Sequence, residues 1–335
     1  MREVWVDYAK ALGIILVVAG HVNRGLYSSG IYISKQFYTL FDSIIYTFHM
    51  PLFFFLSGLF FVKSIDRKGK KSFFIDKIDT IFYPYVLWSL FQGGIEVILS
   101  KYTNSKTELT DVLSFLIYPR AQFWFLYALL MIFIVAALIY KRDSFSKSLP
   151  LIILLSFVIY IFSNAIGTSF HINYITNYII FFFMGCIYHK LSLTEKINSG
   201  WGSLLLIFLI FGIAQYIFHI KLGLIYMDTG LFTFALATIG ITFITLLSMQ
   251  LEKIKIHALE TIGTLSMVIY LLHILSASGT RIILSKFLHI QNWYIHIITG
   301  ISIGIIAPVA VYFFFTKRYN INFLFSFPRK KKMSS

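Results

Sequence analysis

The sequence predicts an all-α membrane protein, a polytopic bundle of about ten transmembrane helices with both termini in the cytoplasm. Hydrophobic residues make up 58% of the 335-residue chain and charged residues only 13%, with a mean hydropathy of +0.79. Soluble domains carry about 25% charged residues, and no soluble core of this size buries so many apolar side chains. In addition, apolar runs long enough to span a bilayer recur along the chain.

Ten apolar runs bounded by charged or turn-forming residues are the predicted spans. They cover residues 5–26, 37–62, 73–99, 122–140, 149–166, 173–189, 203–220, 227–250, 258–280 and 294–316. The segment 219–228 reads as either a short loop or an interfacial piece. The first run lacks a small-residue cleavage site, so we interpret it as a span and not a signal peptide. Together the runs predict one transmembrane domain over residues 1–320 and a basic cytoplasmic tail over 321–335.

The net charge of +15 is explained by topology. With the N-terminus inside, 20 of the 29 Lys and Arg residues fall in inner segments and 8 in outer ones, Arg24 among them, while Lys10 lies inside the first run. Lys and Arg accumulate in cytoplasmic loops, so the charge requires no nucleic-acid partner. The basic loop 63–77 and the cluster at 329–332 are expected to lie on anionic lipid headgroups. The single cysteine, Cys186, excludes an intramolecular disulfide.

Ionisable groups inside spans are energetically expensive and therefore candidate functional residues. The first run contains Asp7, Lys10 and His21. Lys10 and His21 are eleven residues apart, which places them roughly 16 Å apart along a helix and about 20° apart around it. Asp7 shares this face. The alternative interpretation is a lysine that snorkels to the interface and a histidine hydrogen-bonded to a carbonyl.

In two further spans a histidine lies away from the ends of the run. His49 lies two residues before Pro51, which frees a backbone carbonyl one turn earlier and opens the helix locally. Taken alone, this motif fits a proline kink with a hydrogen-bonded histidine equally well. In the ninth run, His273 follows Tyr270 by three residues on the same face. Three histidines on three spans predict a shared polar cavity that crosses part of the bilayer.

Histidine is suited to general acid–base catalysis near neutral pH. We expect no metal site, because the sequence has no His pair at i,i+4, no Cys cluster, and no Asp or Glu beside these histidines within the spans. The serine-nucleophile elbow, the Walker loop and the dinucleotide fingerprint are absent. The other histidines lie near loop ends, where interfacial anchoring is the better interpretation: residues 171, 189, 219, 257, 289 and 296.

The order of these motifs resembles the integral-membrane acyltransferase-three family, and within it the fucose-O-acetylase-like branch. The matching segments are Asp7–His21, Phe48–Gly58, Lys77 with Pro84-Tyr85, Phe123-Trp124-Phe-Leu126, Phe182–Gly185 and Gly263–His273. The resemblance extends over essentially the whole chain. Lys10 occupies the basic position where many members have Arg, and its point charge still suits phosphate. The extracytoplasmic hydrolase-like domain of longer members is expected to be absent.

The resemblance implies an O-acetyltransferase in a bacterial cytoplasmic (inner) membrane. It would move an acetyl or other short acyl group from acetyl-CoA to a carbohydrate hydroxyl, such as that of an O-antigen or capsule unit. Lys10 and Lys77 would then hold CoA phosphates, with Asp7 orienting Lys10. His21 would act as base or as transient acyl carrier, and no permanently bound cofactor is expected.

Four further residues complete the predicted site. His49, Tyr270 and His273 would orient the acceptor or stabilise the oxyanion, and Trp124 would line the sugar site. A second class of function is a transporter or flippase of a lipid-linked sugar or small acid, in which the same polar stripe serves as a proton relay. A third is a structural membrane protein, in which removing the histidines affects little beyond stability.

Overall fold

A computed structural model describes residues 3–100, 107–319, 321 and 323–328, and every regular element in these ranges is helical. The first nine helices are α1 (Val4–Ser28), α2 (Lys35–Tyr46), α3 (His49–Leu59), α4 (Phe61–Lys77), α5 (Tyr83–Ile98), α6 (Leu109–Leu113), α7 (Trp124–Ile139), α8 (Phe145–Ile161) and α9 (Ser163–Ile166). They are followed by α10 (Asn173–Thr176), α11 (Ile179–Lys190), α12 (Leu193–Lys196), α13 (Trp201–Tyr216), α14 (Leu231–Ile254), α15 (His257–Thr264), α16 (Ser266–Ile282) and α17 (Trp293–Tyr312). The all-α fold class is confirmed.

Seven segments of the described chain are long and apolar enough to cross a membrane. They are Val4–Ser28, Lys35–Leu59, Leu109–Ile139, Trp201–Lys221, Leu231–Ile254, Ser266–Phe287 and Trp293–Thr316. The predicted runs at 73–99, 149–166 and 173–189 correspond to shorter or interrupted helices, so a total of ten spans stays a prediction. The run at 203–220 forms an uninterrupted helical segment that continues to Lys221, and most of its residues face outward from the bundle.

The predicted inner loop at 63–77 is wrong in its conformation, because these residues belong to α4. The helix is kinked at Gly69, whose positive φ of 72° suits glycine. Of the basic residues used to assign the topology, Arg2, Lys101, Lys106 and the cluster at 329–332 lie outside the described residues. The described part of the tail packs against α5, where the Trp88 indole N–H donates to the Leu324 carbonyl at 2.7 Å.

The first helix lies in the middle of the bundle and contacts α2, α3 and the four helices α14–α17. Its Ala9 and Val18 are fully buried, so neighbouring helices pack closely around the stripe that carries Lys10 and His21. A central position for α1 explains how one helix presents side chains to several surrounding elements.

Two glycines allow α3 and α11 to cross with their backbones in contact. A Cβ added at Gly58 would overlap the carbonyl oxygen of Phe182, and one added at Gly185 would overlap the carbonyl oxygen of Phe55. Small residues of this kind allow close helix packing in membranes. The crossing fixes α3, and with it the chain that leads back to His49, against the bundle.

The chain breaks between α2 and α3, directly before His49. Phe48 has a non-helical φ of −134°, and Pro51 has no N–H to bond the carbonyl of Thr47. The local opening that the proline predicts is present. Because of this break, α2 and α3 are two separate helices.

Candidate active site between two cavities

The first cavity, of about 290 Å³, is mainly apolar and has two lysines in its wall. We name it the Lys10 cavity; its lining residues are Lys10, Ile14, Val17, Met50, Phe53, Leu56, Ser57, Phe60, Lys77, Thr80, Ile81, Phe125, Leu126, Leu129, Phe133, Ser266, Met267 and Tyr270. Lys10 lies 3.4 Å from a carboxylate oxygen of Asp7, which is 5% exposed. Lys77 lies over the Phe133 ring, with Nζ 4.6 Å from its centroid. The three sequence-predicted residues Asp7, Lys10 and Lys77 therefore lie at or beside one cavity.

The second cavity is larger, about 480 Å³, and more polar. We name it the Arg24 cavity; it is lined by Arg24, Tyr46, Thr47, Pro51, Trp124, Tyr160, Ser163, Asn164, Gly167, Thr168, Asn173, Tyr174, Asn177, Tyr178, Phe181, Tyr226, Met227, Thr229, Thr233 and Ala237. The Trp124 ring lies against Tyr174 and Tyr178, with centroid separations of 5.1 and 5.4 Å. Cavities of this size are in the range of small-molecule binding sites.

Along α1 the two cavities follow one another. Lys10, Ile14 and Val17 line the Lys10 cavity, and Arg24 lines the other. His21 lies between them, one helical turn from Val17 on one side and from Arg24 on the other. His21 therefore occupies the level of the bundle at which one cavity ends and the other begins.

The other two predicted histidines lie at the same junction. On α16, Tyr270 lines the Lys10 cavity and His273 follows one turn later, its ring 5.1 Å from that of His21. At the start of α3, the His49 ring packs edge-on against Tyr46 of the Arg24 cavity, with centroids 4.4 Å apart. We call His21, His49 and His273 the histidine layer.

The wall between the cavities is thin. Met50 lines the Lys10 cavity, while the next residue, Pro51, lines the Arg24 cavity. Likewise, Phe125 lines the Lys10 cavity and Trp124 lines the Arg24 cavity. Neighbouring residues of one chain thus face different cavities at two places. His21, His49 and His273 are not among the lining residues of either cavity, so the predicted polar cavity shared by the three histidines is not one of these two.

Hydrogen bonds fix the tautomers of two histidines. Nδ1 of His49 lies 2.8 Å from the Ile45 carbonyl, and Nδ1 of His273 lies 2.8 Å from the Tyr270 carbonyl. A carbonyl only accepts, so Nδ1 is the protonated nitrogen in both rings. Each Nε2 is buried without a hydrogen-bond partner among the described residues. In the neutral rings these nitrogens carry free lone pairs, which can accept a proton or a hydrogen bond.

Tyr270 is held through the backbone of a residue whose side chain belongs to a buried amide pair. The Tyr270 hydroxyl donates to the backbone carbonyl of Gln122. The side-chain amide of Gln122 donates to the Gln92 side chain at 2.7 Å, and the Gln92 amide donates to Glu96 at 2.9 Å. Satisfied buried networks hold their members rigidly. Sequence reasoning missed both glutamines, although Gln122 lies two residues before Trp124 in the matching motif.

Arg24 is the main polar residue of the second cavity that sequence reasoning missed. The charge distribution places Arg24 among the outer segments, but it lies inside α1 and forms a two-pronged ion pair with Asp42, with N–O distances of 2.7 and 2.9 Å. Its guanidinium lies 3.5 Å above the Tyr46 ring and donates to the Tyr226 hydroxyl at 3.0 Å. Its partner Asp42 is buried in α2, within the second predicted span, and was likewise not identified as a candidate from the sequence.

His296 also departs from its sequence interpretation. Its position near a loop end favours interfacial anchoring, but it is 2% exposed and lines a small cavity together with His21. Within the described ranges, no group of three or more His, Cys, Asp or Glu residues is arranged so that it could hold a metal ion.

A comparison with models of known protein families assigns the chain to a family. The model described as an acyltransferase domain, that of the acyltransferase-3 family, matches residues 3–316. No curated protein and no solved structure matches the chain. The match covers every helix of the bundle, both cavities and the histidine layer, and it does not specify the fucose-O-acetylase-like branch. The chain belongs to the acyltransferase-3 family and is a membrane acyltransferase.

Proposed function

We propose that this protein is an O-acetyltransferase that moves an acetyl group from acetyl-CoA to a hydroxyl of a cell-surface carbohydrate, in a bacterial cytoplasmic membrane. The observation that carries the proposal is the histidine layer between two cavities of different chemistry. A two-substrate reaction needs two binding sites that meet at the catalytic groups, and two cavities on either side of the level of the histidines support such a reaction.

The Lys10 cavity suits the acyl donor. Its wall is apolar apart from a few polar groups, among them Lys10 and Lys77. Acetyl-CoA combines a long pantetheine arm with several phosphates, and lysines bind phosphate as point charges. In the predicted topology this cavity lies toward the cytoplasm, where acetyl-CoA is found. The arm would extend past Val17, so that the thioester arrives below His21.

The Arg24 cavity suits an uncharged, hydroxyl-rich acceptor. Asp42 neutralises Arg24, so the cavity does not select a second anion. The Oδ1 atoms of Asn173 and Asn177 are buried without hydrogen-bond partners among the described residues and are free to accept from hydroxyl groups. Aromatic rings beside polar groups are complementary to a sugar ring, which also combines apolar faces with polar hydroxyl groups.

The reaction proceeds at the layer. A histidine nitrogen, assigned to His21, takes the proton of the acceptor hydroxyl while its oxygen attacks the thioester carbonyl. The tetrahedral intermediate collapses with cleavage of the carbon–sulfur bond, and the thiolate takes the proton back from the histidine. The products are the acetyl ester and CoA thiol. An alternative order, in which His21 first carries the acetyl group, uses the same residue as nucleophile.

The test is incubation of membranes that contain the protein with radiolabelled acetyl-CoA and a surface-glycan fraction. We expect label in the carbohydrate, together with a mass increase that corresponds to acetylation in cells that carry the gene. Uptake or flipping of a sugar without covalent label would favour the transporter, and an unchanged acetylation pattern would refute the carbohydrate acceptor. A different acyl-CoA as the better donor would correct the acetyl assignment alone.

A further inference from the structure

The side of His21 that faces α17 has its own small cavity with a second buried histidine. We propose that His296 is a positioning residue, which sets the tautomer and orientation of His21 through one water molecule held in this cavity. The inference rests on the proposed function and adds a residue on α17 to the machinery around His21.

The cavity has the volume of a single water site. It measures about 20 Å³, and its wall includes His21, Ser278, Arg281, His296 and Gly300. A polar cavity needs about 10–15 Å³ and two to four polar partners to hold one water. Both imidazoles and the Ser278 hydroxyl are available as such partners.

Close packing of α17 on α1 creates this arrangement. A Cβ at Gly300 would lie 3.0 Å from a Val22 methyl group, and one at Gly304 would lie 2.8 Å from a Val18 methyl group. Gly300 is one turn after His296, and Val22 directly follows His21. The glycine contacts therefore set the distance between the helices at the level of the two histidines.

The hydrogen bond of one His296 ring nitrogen determines whether the other ring nitrogen is a donor or an acceptor. Nε2 lies 2.8 Å from the Ile290 carbonyl and must donate to it. Nδ1 is then an acceptor in the neutral ring, and it is buried without a hydrogen-bond partner among the described residues. A water in the cavity would donate to this nitrogen, which satisfies it.

A water that donates to His296 keeps its oxygen free to accept from His21. In the proposed arrangement the water accepts from His21, so the proton of neutral His21 lies on the nitrogen that faces the small cavity and the lone pair is on the opposite nitrogen. Orientation of a catalytic histidine by a hydrogen bond to its far nitrogen is a general device. Arg281 also lines this cavity, and its guanidinium donates to the Gly25 carbonyl.

Two substitutions separate positioning from simple structural support. His296→Asn keeps an acceptor near the position of Nδ1 and loses the bond to Ile290. His296→Gln keeps a donor near the position of Nε2 and loses the acceptor. We expect His296→Asn to retain kcat within about threefold of the wild type and His296→Gln to lower kcat roughly 10- to 100-fold, each with an unchanged KM for acetyl-CoA.

His219→Asn is the matched control, since His219 also bonds a loop carbonyl through one nitrogen and leaves the other unpartnered among the described residues, away from His21. It should retain full activity. A larger loss in His296→Asn than in His296→Gln, equal losses, or no loss in either would overturn the inference while wild-type acetyl transfer still stands. Absence of acetyl transfer by the wild type would instead overturn the proposed function, and the inference with it.

Discussion

In the proposed function, the lysine side chains at the Lys10 cavity bind the acyl donor. Lys10 and Lys77 have acidic neighbours, Asp7 at 3.4 Å and Asp76 at 3.5 Å, yet both remain in the cavity wall. A phosphate contact with either lysine is a charged hydrogen bond, which contributes about 1.5–3 kcal/mol. Donor affinity, and not the chemical step, is therefore expected to depend on these two residues.

Lys10→Gln and Lys77→Gln should each raise the KM for acetyl-CoA roughly tenfold or more, because about 1.4 kcal/mol of binding corresponds to a factor of ten. The kcat at saturating donor should change little. Initial-rate kinetics in detergent measure both constants, with Lys35→Gln, an exposed lysine at the start of α2, as the control. A fall in kcat with unchanged KM would place these lysines outside the donor site.

Arg24 and Asp42 form the other charged unit at the residue scale. Arg24→Leu leaves a buried carboxylate without its main partner, a loss that typically costs about 3–5 kcal/mol. We expect a lower melting temperature in detergent for Arg24→Leu and a partial recovery in the double variant Arg24→Leu/Asp42→Asn, which also removes the stranded charge. A double variant less stable than the single one would contradict the pairing.

Sequence reasoning found the ionisable residues on the central stripe but not their partners. Lys10, His21, His49 and His273 are visible because polar groups are rare within apolar runs. Arg24 lies only two residues from the end of its predicted run, so its burial depends on α2 supplying Asp42, a contact that spans 18 residues of sequence. Long-range pairing of this kind leaves no local pattern.

At the scale of elements, glycines decide which helices cross closely. Gly58 and Gly185 bring α3 and α11 together, so that an added methyl group at either position would meet a carbonyl oxygen. The sequence contains both glycines within matching motifs, but it does not show that they face each other. The break before α3, in contrast, follows from Pro51 and is predictable.

Gly58→Ala and Gly185→Ala should each destabilise the protein by about 1–3 kcal/mol, the usual cost of an overpacked core. Gly212→Ala is the control, because Gly212 lies in the exposed part of α13 and an added Cβ there has no neighbour within 4 Å. This control should be neutral or slightly stabilising, since alanine favours helix. Thermal unfolding in detergent gives the three values, and equal effects at all three positions would refute the crossing contact.

At the scale of the whole molecule, the distribution of charge predicts the orientation in the membrane. The Lys10 end of α1 should face the cytoplasm and the Arg24 end the exterior. The all-α class and the membrane setting follow from composition, since both depend on sums over the chain. The number of spans is harder to predict from the sequence. Interrupted helices, such as α4 with α5 and α10 with α11, depend on packing against their neighbours.

Cysteine labelling tests the orientation. The single native cysteine, Cys186, is buried, so its reaction with a maleimide should be slow. Tyr32→Cys, at an 83% exposed position between α1 and α2, should react with a membrane-impermeant maleimide in intact cells. Lys70→Cys, exposed in α4, should react only after the membrane is opened. The reverse pattern would invert the assignment of donor and acceptor cavities.

The claim that the two cavities serve two substrates on either side of the histidine layer is tested most directly in sealed vesicles that contain the purified protein. Labelled acetyl-CoA is supplied on the Lys10 side and the acceptor glycan on the Arg24 side, with wild type, His21→Ala and His219→Ala compared. We expect acetylated glycan with the wild type and His219→Ala, and a rate at least about 100-fold lower with correctly inserted His21→Ala. Full acetyl transfer by His21→Ala, or transfer only when both substrates are on the same side, would contradict this mechanism.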